Sequence, residues 1–484
     1  MTVPLQRHGR DVPGLWSPRH RALTVGLILT VTLVAFEALA VATIMPIVVG
    51  ELGNQALYGW VFTAFVLGSL LGIVVVGGLI DRAGLGRPFV GGLALFSVGL
   101  VVGGLAASME MLVAGRFLQG LGAGAIPPVA YVAIGRALPE ELRARMFATL
   151  STAWVLPGVI GPAISGLVAQ HIGWRIVFLG LLPLIAVAGM MTVPAIARSV
   201  PKDVPAAEGR AAANLRSRLG PAILVTLGAA LVVAGLTDGS LVPGLPLVAA
   251  GAVVGVPAFR QLTPPGTLRV ARGLPAAVLL RGVLTFAFFC ADAYVPLALQ
   301  AWRGLDAAVS GIALTSATLA WTAGAWIQAR RFTRIGARRF VGLGFATLAL
   351  GIAGFAAVLI PEVPIAVGIV TWGVAGLGMG LSYAPLSLTV LAEAHPAEQG
   401  AATSGLQLSD VLGTALGTGV GGAIIAAAAA ADQPGWTGLG GAFAVGIVAA
   451  VIGVVLARRL PGPRAISAPA AGSAVGEPPQ AAVD

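Results

Sequence analysis

The chain has 484 residues, 57% of them hydrophobic and only 10% charged, with a mean hydropathy of +0.94. Soluble domains carry about 25% charged residues, so this composition excludes an ordinary globular enzyme and a disordered chain alike. The net charge of +10 is not a nucleic-acid signal here, because short cytoplasmic loops of membrane proteins are enriched in Lys and Arg.

Taken in order, with about 20 apolar residues needed per crossing, the chain offers fourteen expected spans: 22–48, 57–80, 88–107, 111–135, 146–170, 175–197, 219–237, 241–258, 275–299, 308–329, 340–360, 364–390, 400–428 and 439–457. The first follows basic residues and contains Ala38-Leu39-Ala40. It is too long for a signal-peptide core and is expected to remain as a helix. The organisation that follows is a cytoplasmic N-terminus (1–21), a six-helix half (22–197), a cytoplasmic linker (198–218), two inserted helices (219–258), a second linker (259–274), a second six-helix half (275–457) and a disordered cytoplasmic tail (458–484).

Charge supports that count. With the N-terminus inside, the cytoplasmic segments hold 25 of the 29 Lys and Arg, while the outside keeps only Arg175 and Arg303. One span more or fewer would invert everything downstream and spoil the asymmetry. The chain also repeats itself. Gly120-Leu121-Gly122-Ala123-Gly124 returns 256 residues later as Gly376-Leu377-Gly378-Met379-Gly380, and the run at Gly161, Ser165 and Gly166 returns as Gly417, Gly421 and Gly422. A weaker echo of Gly77-x-x-x-Asp81 is Gly324-x-x-x-Gln328. Repeated halves point to a transporter with its substrate site near the midplane between them.

Five charges fall inside expected spans: Glu37, Arg116, Arg281, Asp292 and Asp410. A charge at that depth costs a few kcal/mol and faces protein or a water-filled cavity. Glu37 lies about 15 residues, or roughly 22 Å of helix, into span 1, where a carboxylate can load and release protons as its surroundings alternate. Arg116 keeps its own proton and biases a neighbour instead. Its repeat position is Trp372, so the second half lacks that cation and coupling is expected to concentrate in the first. Asp292 and Arg281 share a face of span 9. Asp292 is a second proton site or a contact for a cationic substrate, while Arg281, near the span's cytoplasmic end, is as well placed to snorkel as to be held within the span. Asp410 is similarly central in span 13, with Gln407 one turn before it. The structural alternative for each is a hydrogen-bonded group without a transport role. Phe286, Phe289, Trp321, Trp326, Trp372 and Tyr383, with Gln119, are candidates to line a cavity for flat lipophilic cations. The single cysteine, Cys290, and the scattered His8, His20, His171 and His395 form no disulfide framework or metal-ligand pair, and no phosphate loop or nucleophile elbow is present.

Three motifs then resemble one family. The loop Gly77-Gly78-Leu79-Ile80-Asp81-Arg82-Ala83-Gly84-Leu85-Gly86-Arg87 is similar to the G-x-L-x-D-R-x-G-R-[RK] loop of the major facilitator superfamily, with one residue inserted. Arg116-x-x-Gln119-Gly120 resembles its span-4 R-x-x-x-G motif. Gly161-Pro162-Ala163-Ile164-Ser165-Gly166 resembles the antiporter motif G-x-x-x-G-P-x-x-G-G, with Pro157 at the leading glycine and Ser165 at the first late one. The narrower likeness is to the fourteen-span drug:proton antiporters, whose span-1 pattern L-D-x-T-x-x-N-x-A-L-P survives here as Phe36-Glu37 and Met45-Pro46, with Leu39 and Ala42 in place of polar residues. The resemblance implies that spans 1 and 4 pack together. It also implies that Gly77, Asp81, Arg82 and Arg87 form a conformational latch, with Asp81 facing the start of span 13 near Gln399, and that Pro162 kinks an interface helix.

The expected protein is an all-α integral membrane protein of fourteen helices and no enzyme. Its expected job is to export a lipophilic cationic or neutral small molecule by alternating access, coupled to protons and needing no other cofactor. Export of a lipid or endogenous metabolite, or a non-transporting receptor or scaffold role, stays open. A monomer in the inner (plasma) membrane with both termini cytoplasmic, and without a nucleic-acid partner, completes the expectation.

Overall fold

A computed structural model describes residues 14–18, 20–138, 142, 146, 149–150, 153, 155–199, 208–237, 241–395 and 399–462. Its described residues fold into helices joined by short turns, as an apolar medium demands: without water, every backbone N–H and C=O must be paired within the segment. The first half comprises α1 (Arg21–Leu52), α2 (Tyr58–Ala83), α3 (Gly86–Gly104), α4 (Met109–Ala123), α5 (Ile126–Ala137), α6 (Val155–His171), α7 (Trp174–Leu179) and α8 (Leu181–Ser199). Two further helices follow, α9 (Glu208–Thr237) and α10 (Leu241–Leu262). The second half comprises α11 (Leu274–Asp292), α12 (Ala307–Ile335), α13 (Ala337–Ala356), α14 (Ile365–Glu393), α15 (Gln399–Ala430) and α16 (Gly435–Leu456).

Thirteen of the helical stretches are long and apolar enough to cross a membrane. The fifth expected span is described only in part, as the 17-residue α6. The fourth span is two helices, α4 and α5, and the ninth runs from α11 through a turn at Val295–Leu297 into a π-helical segment, Ala298–Trp302. Helix α9 reaches back to Glu208, so part of the expected linker is helical. Its alanines and Leu215 are good helix formers. The first residues of the expected tail are ordered, with a 3-10 turn at Ala457–Arg459 and Leu460 buried, and its remainder beyond 462 lies outside the described residues.

The glycine repeat has a packing cause. Gly120 and Gly124 press against the backbone of α2 at Phe65 and Ser69, while Gly122 meets α3 at Gly92 and Phe96. In the second half Gly376 and Gly380 press on α12 at Ala317 and Trp321, and Gly378 meets α13 at Gly344 and Leu348. Each motif lets one helix be clasped from both sides at backbone distance, the small-residue packing expected where lipid supplies no hydrophobic drive. A left-handed Gly84, φ +71°, closes α2 by donating its N–H to Ile80 O.

The two halves meet along two seams. Gly158 of α6 lies against Thr318 of α12, Gly166 against Ala307, and Pro162 against Gly311. At the other seam Gly59 of α2 abuts Gly422 of α15 and the Tyr294 hydroxyl, and Thr63 donates to Ala415 O at 3.2 Å. The inserted pair α9–α10 is zipped by Gly228 against Gly251 and Gly255, and by Gly235 against Gly244. It rests on both halves at once: Val225, Ala258 and Phe259 pack with Leu70 of α2 and Leu408 of α15. Cys290 is buried in α11, its thiol donating to Ala442 O of α16 at 3.4 Å.

Candidate functional site

Four of the five intramembrane charges form two buried pairs, one in each half. In the first half Glu37 of α1 accepts from Arg116 Nη1 of α4; the side chains are 1% and 2% exposed. Arg116 is fixed on every side. Its Nε donates to Val61 O of α2 at 3.2 Å, Nη1 also reaches Gln119 Oε1 at 2.8 Å, and the guanidinium lies 4.2 Å from the centroid of Phe65. Gln119 belongs here by helical spacing, three residues on from Arg116 and therefore on its face. Helix α4 is set by an N-cap at Ser108, whose hydroxyl accepts from Met111 N at 3.3 Å. The cluster is incomplete: Glu37 Oε2 and Gln119 Nε2 are buried without a hydrogen-bond partner. In a dry interior each such group costs about 1–3 kcal/mol. The cluster thus keeps one acceptor, Glu37 Oε2, and one donor, Gln119 Nε2, unused.

The second pair settles the reading of Arg281. It does not snorkel. At 2% exposure its Nη1 donates to Tyr383 O at 2.5 Å, its Nη2 to Ser387 Oγ at 3.1 Å, and its Nε lies 3.2 Å from Asp410 Oδ1. Tyr383 caps the arrangement twice: its ring centroid is 3.2 Å from the guanidinium carbon, and its hydroxyl donates to Asp410 Oδ2 at 2.8 Å. Asp410 is the least enclosed member, 14% exposed. Thr285, one turn from Arg281, donates to Asp410 O at 2.9 Å and ties α11 to α15. The second half thus has a buried cation after all, carried by a different helix from Arg116.

Asp292 stands apart from both pairs. It ends α11, half-buried, and its carboxylate approaches the indole N–H of Trp372 without closing a well-formed hydrogen bond. Trp372 is the repeat mate of Arg116, so this acid faces an indole where the first half has a guanidinium. Around it lies a ring cluster: Phe288 stacks on Trp372 at 5.4 Å between centroids and meets Trp321 and Phe289 edge-on at 5.7 and 5.2 Å, while Trp321 leads on to Tyr383 at 5.5 Å. Of the aromatic candidates, Phe289, Trp321, Trp372 and Tyr383 are brought together. Phe286 is half-buried outside these ring contacts among the described residues, and Trp326, 61% exposed, faces outward. Gln407 is exposed on α15. Phe288, the hub, was the omission. It sits four residues before Asp292 and seven after Arg281, so the helical spacing that aligned those two charges also points to it.

Pro157, Gly161, Pro162, Ser165 and Gly166 form a buried stripe on α6. Ser165 Oγ donates to Pro162 O at 3.1 Å, and Gly161 faces Phe36 beside Glu37. This stripe joins α1 to the opposing α12. Of the expected latch, Arg87 is exposed at the start of α3 and Gly77 lies within α2, while the side chains of Asp81, Arg82 and Gln399 fall outside the described residues. Among the described residues, no group of His, Cys, Asp and Glu is arranged to hold a metal ion.

Two helical halves repeating one packing scheme, with charges buried between helices, define a multi-pass membrane transporter. The Major Facilitator Superfamily model matches residues 27–379; the chain belongs to that family. It is 28% identical over 447 residues to a probable multidrug-efflux transporter of Mycobacterium tuberculosis, covering 89% of this chain and 94% of that one. It is 26% identical over 427 residues to the multidrug transporter protein MdtP of Bacillus subtilis, covering 83% and 75%. Among solved structures, a bacterial homolog of the human lysosomal transporter Spinster in an inward-facing, unoccupied conformation superposes with a TM-score of 0.64 at 15% identity, covering 91% and 98%. The peptide transporter PepTSo gives 0.63 at 16% identity, covering 90% and 98%. These two likenesses concern the fold.

Proposed function

We propose that the protein is a proton-coupled exporter of lipophilic cationic or neutral small molecules, working by alternating access in the plasma membrane with its Arg-dense ends in the cytoplasm. The carrying observation is the Glu37–Arg116–Gln119 cluster, in which a buried carboxylate keeps one oxygen free while its partner arginine is held by three other groups. Proton arrival at Glu37 removes one charge of the pair without releasing Arg116, so the helix pair α1–α4 loses an attraction while its scaffold stays intact. Loss of a buried pair is worth several kcal/mol, enough to bias a two-state rocking of the halves. The names borne by the mycobacterial and Bacillus relatives support multidrug export as the job, and the aromatic cluster beside Asp292 and Asp410 suits flat cations.

The test is proton flux in proteoliposomes loaded with a pH-sensitive dye and challenged with lipophilic cations and neutral drugs. Substrate-triggered flux that vanishes in Glu37→Gln supports the reading. Flux that persists moves the proton site to Asp292 or Asp410, and absence of flux with every compound sinks proton-coupled drug export.

A further inference from the structure

Away from both charge pairs, at the end of the second half where α11 and α13 begin and α14 and α16 finish, four arginines surround an open cavity of about 500 Å³: Arg272, Arg338, Arg458 and Arg459. We propose that this cavity binds a phosphate-bearing anion, the headgroup of an anionic phospholipid. Three observations carry it. First, the charge is unbalanced. The one carboxylate lining the cavity, Glu393, already accepts the Leu274 backbone N–H, and among the described residues no ion pair joins any of the four guanidiniums to an acid. Second, the walls are built. Arg338 Nη2 donates to Arg458 O, and Gly273 N donates to Arg459 O at 3.0 Å, which pins the segment after α16 against the starts of α11 and α13. Arg272 and Arg459 are exposed and make no side-chain hydrogen bond to the described protein, so their donors are free for a ligand. Third, the position suits a lipid. The N-termini of α11 and α13 are offset there by the C-termini of α14 and α16, so the positive field comes from the guanidiniums. The cavity is far roomier than a few waters of about 30 Å³ each would need, and it opens where membrane-spanning helices end, at headgroup depth. Basic pockets of this kind between helices on the cytoplasmic side suit anionic headgroups, and each arginine can offer a two-pronged contact to phosphate oxygens.

The test uses the full-length chain in detergent, with dioleoylphosphatidylglycerol, dioleoylphosphatidylcholine and inorganic phosphate as probes. Lipid retention is read by native mass spectrometry and stability by thermal melting. We expect phosphatidylglycerol to bind preferentially and raise the melting temperature. The double variant Arg272→Gln/Arg459→Gln should weaken it about tenfold or more, each arginine contributing about 1 kcal/mol beside anionic lipid. The charge-matched control Arg330→Gln/Arg331→Gln should keep it. Should the double variant not fold, Arg272→Gln alone still predicts a loss of about threefold or more. Equal binding by the double variant and wild type, or an equal loss in the control, overturns the site. Stabilisation by inorganic phosphate as large as that by phosphatidylglycerol overturns the lipid assignment in favour of a soluble phosphate.

Discussion

Glu37–Arg116 and Arg281–Asp410 are both buried carboxylate–guanidinium pairs, one in each half of a repeated fold, and they are built differently. The first closes between α1 and α4, is nearly inaccessible, and leaves Glu37 Oε2 unbonded. The second closes between α11 and α15, has its acid 14% exposed, and directs Tyr383 Oη at one carboxylate oxygen and Arg281 Nε at the other. The glycine clasps of α4 and α14 repeat between the halves; the charges do not. What packing requires recurs in both halves, while the charged groups sit on different helices. The first pair is a sealed group with spare bonding capacity. The second also keeps unbonded atoms, Arg281 Nε and Asp410 Oδ1, but its acid is partly open and sits beside aromatic rings.

The largest effect that would break this contrast comes from Arg116→Met. Removing the cation strands Glu37 in a dry interior and should cost about 3–5 kcal/mol, read as a fall in melting temperature of the detergent-purified chain. Adding Glu37→Gln should recover most of that loss, because no buried charge is then left unpaired. If the double variant is as unstable as the single, the pair is not the source of the cost.

Next comes the seam at Gly59. A methyl there would meet the Tyr294 hydroxyl at 2.7 Å and Gly422 Cα at 2.9 Å, so Gly59→Val should prop the halves apart at a cost of about 1–3 kcal/mol. A cross-linking pair spanning α2 and α15 would show it as reduced closure. Asp410→Asn should be milder, about 1–2 kcal/mol. Arg281 keeps Tyr383 O and Ser387, and the amide oxygen can still accept from Tyr383. Transport of cations should fall more than that of neutral compounds in a competition assay; equal losses would remove the substrate role from Asp410. The smallest effect is expected from Tyr383→Phe, which deletes one hydrogen bond worth about 1 kcal/mol and leaves the ring over Arg281. A drop as large as that of Arg116→Met would mean the second pair carries the fold as heavily as the first.

Much of this was legible in the residues. An apolar run of about 20 residues has one solution in a bilayer, so the helices and their order follow from hydropathy and the arginine distribution. Glu37 and Arg116 stand out because a charge inside such a run is rare. Arg281 was visible for the same reason, but its partner was not. Its position near a span end made solvent reach as reasonable as burial, and only the approach of α11 to α15, through Gly413 and Gly417, decides between them. Phe288 illustrates another limit: one phenylalanine in an apolar helix is indistinguishable from its neighbours until the faces of three helices are assigned. The break between α4 and α5 likewise has no strong local signal beyond its glycines and Pro127-Pro128.

The chain's lone thiol, Cys290, is shielded within α11 and engaged with Ala442 O. The native sequence is therefore already a nearly silent background for thiol-reactive probes. A single cysteine introduced on either side of the Gly59–Gly422 seam could be tagged with a fluorophore or spin label, and the opening of the two halves followed in the otherwise unmodified transporter.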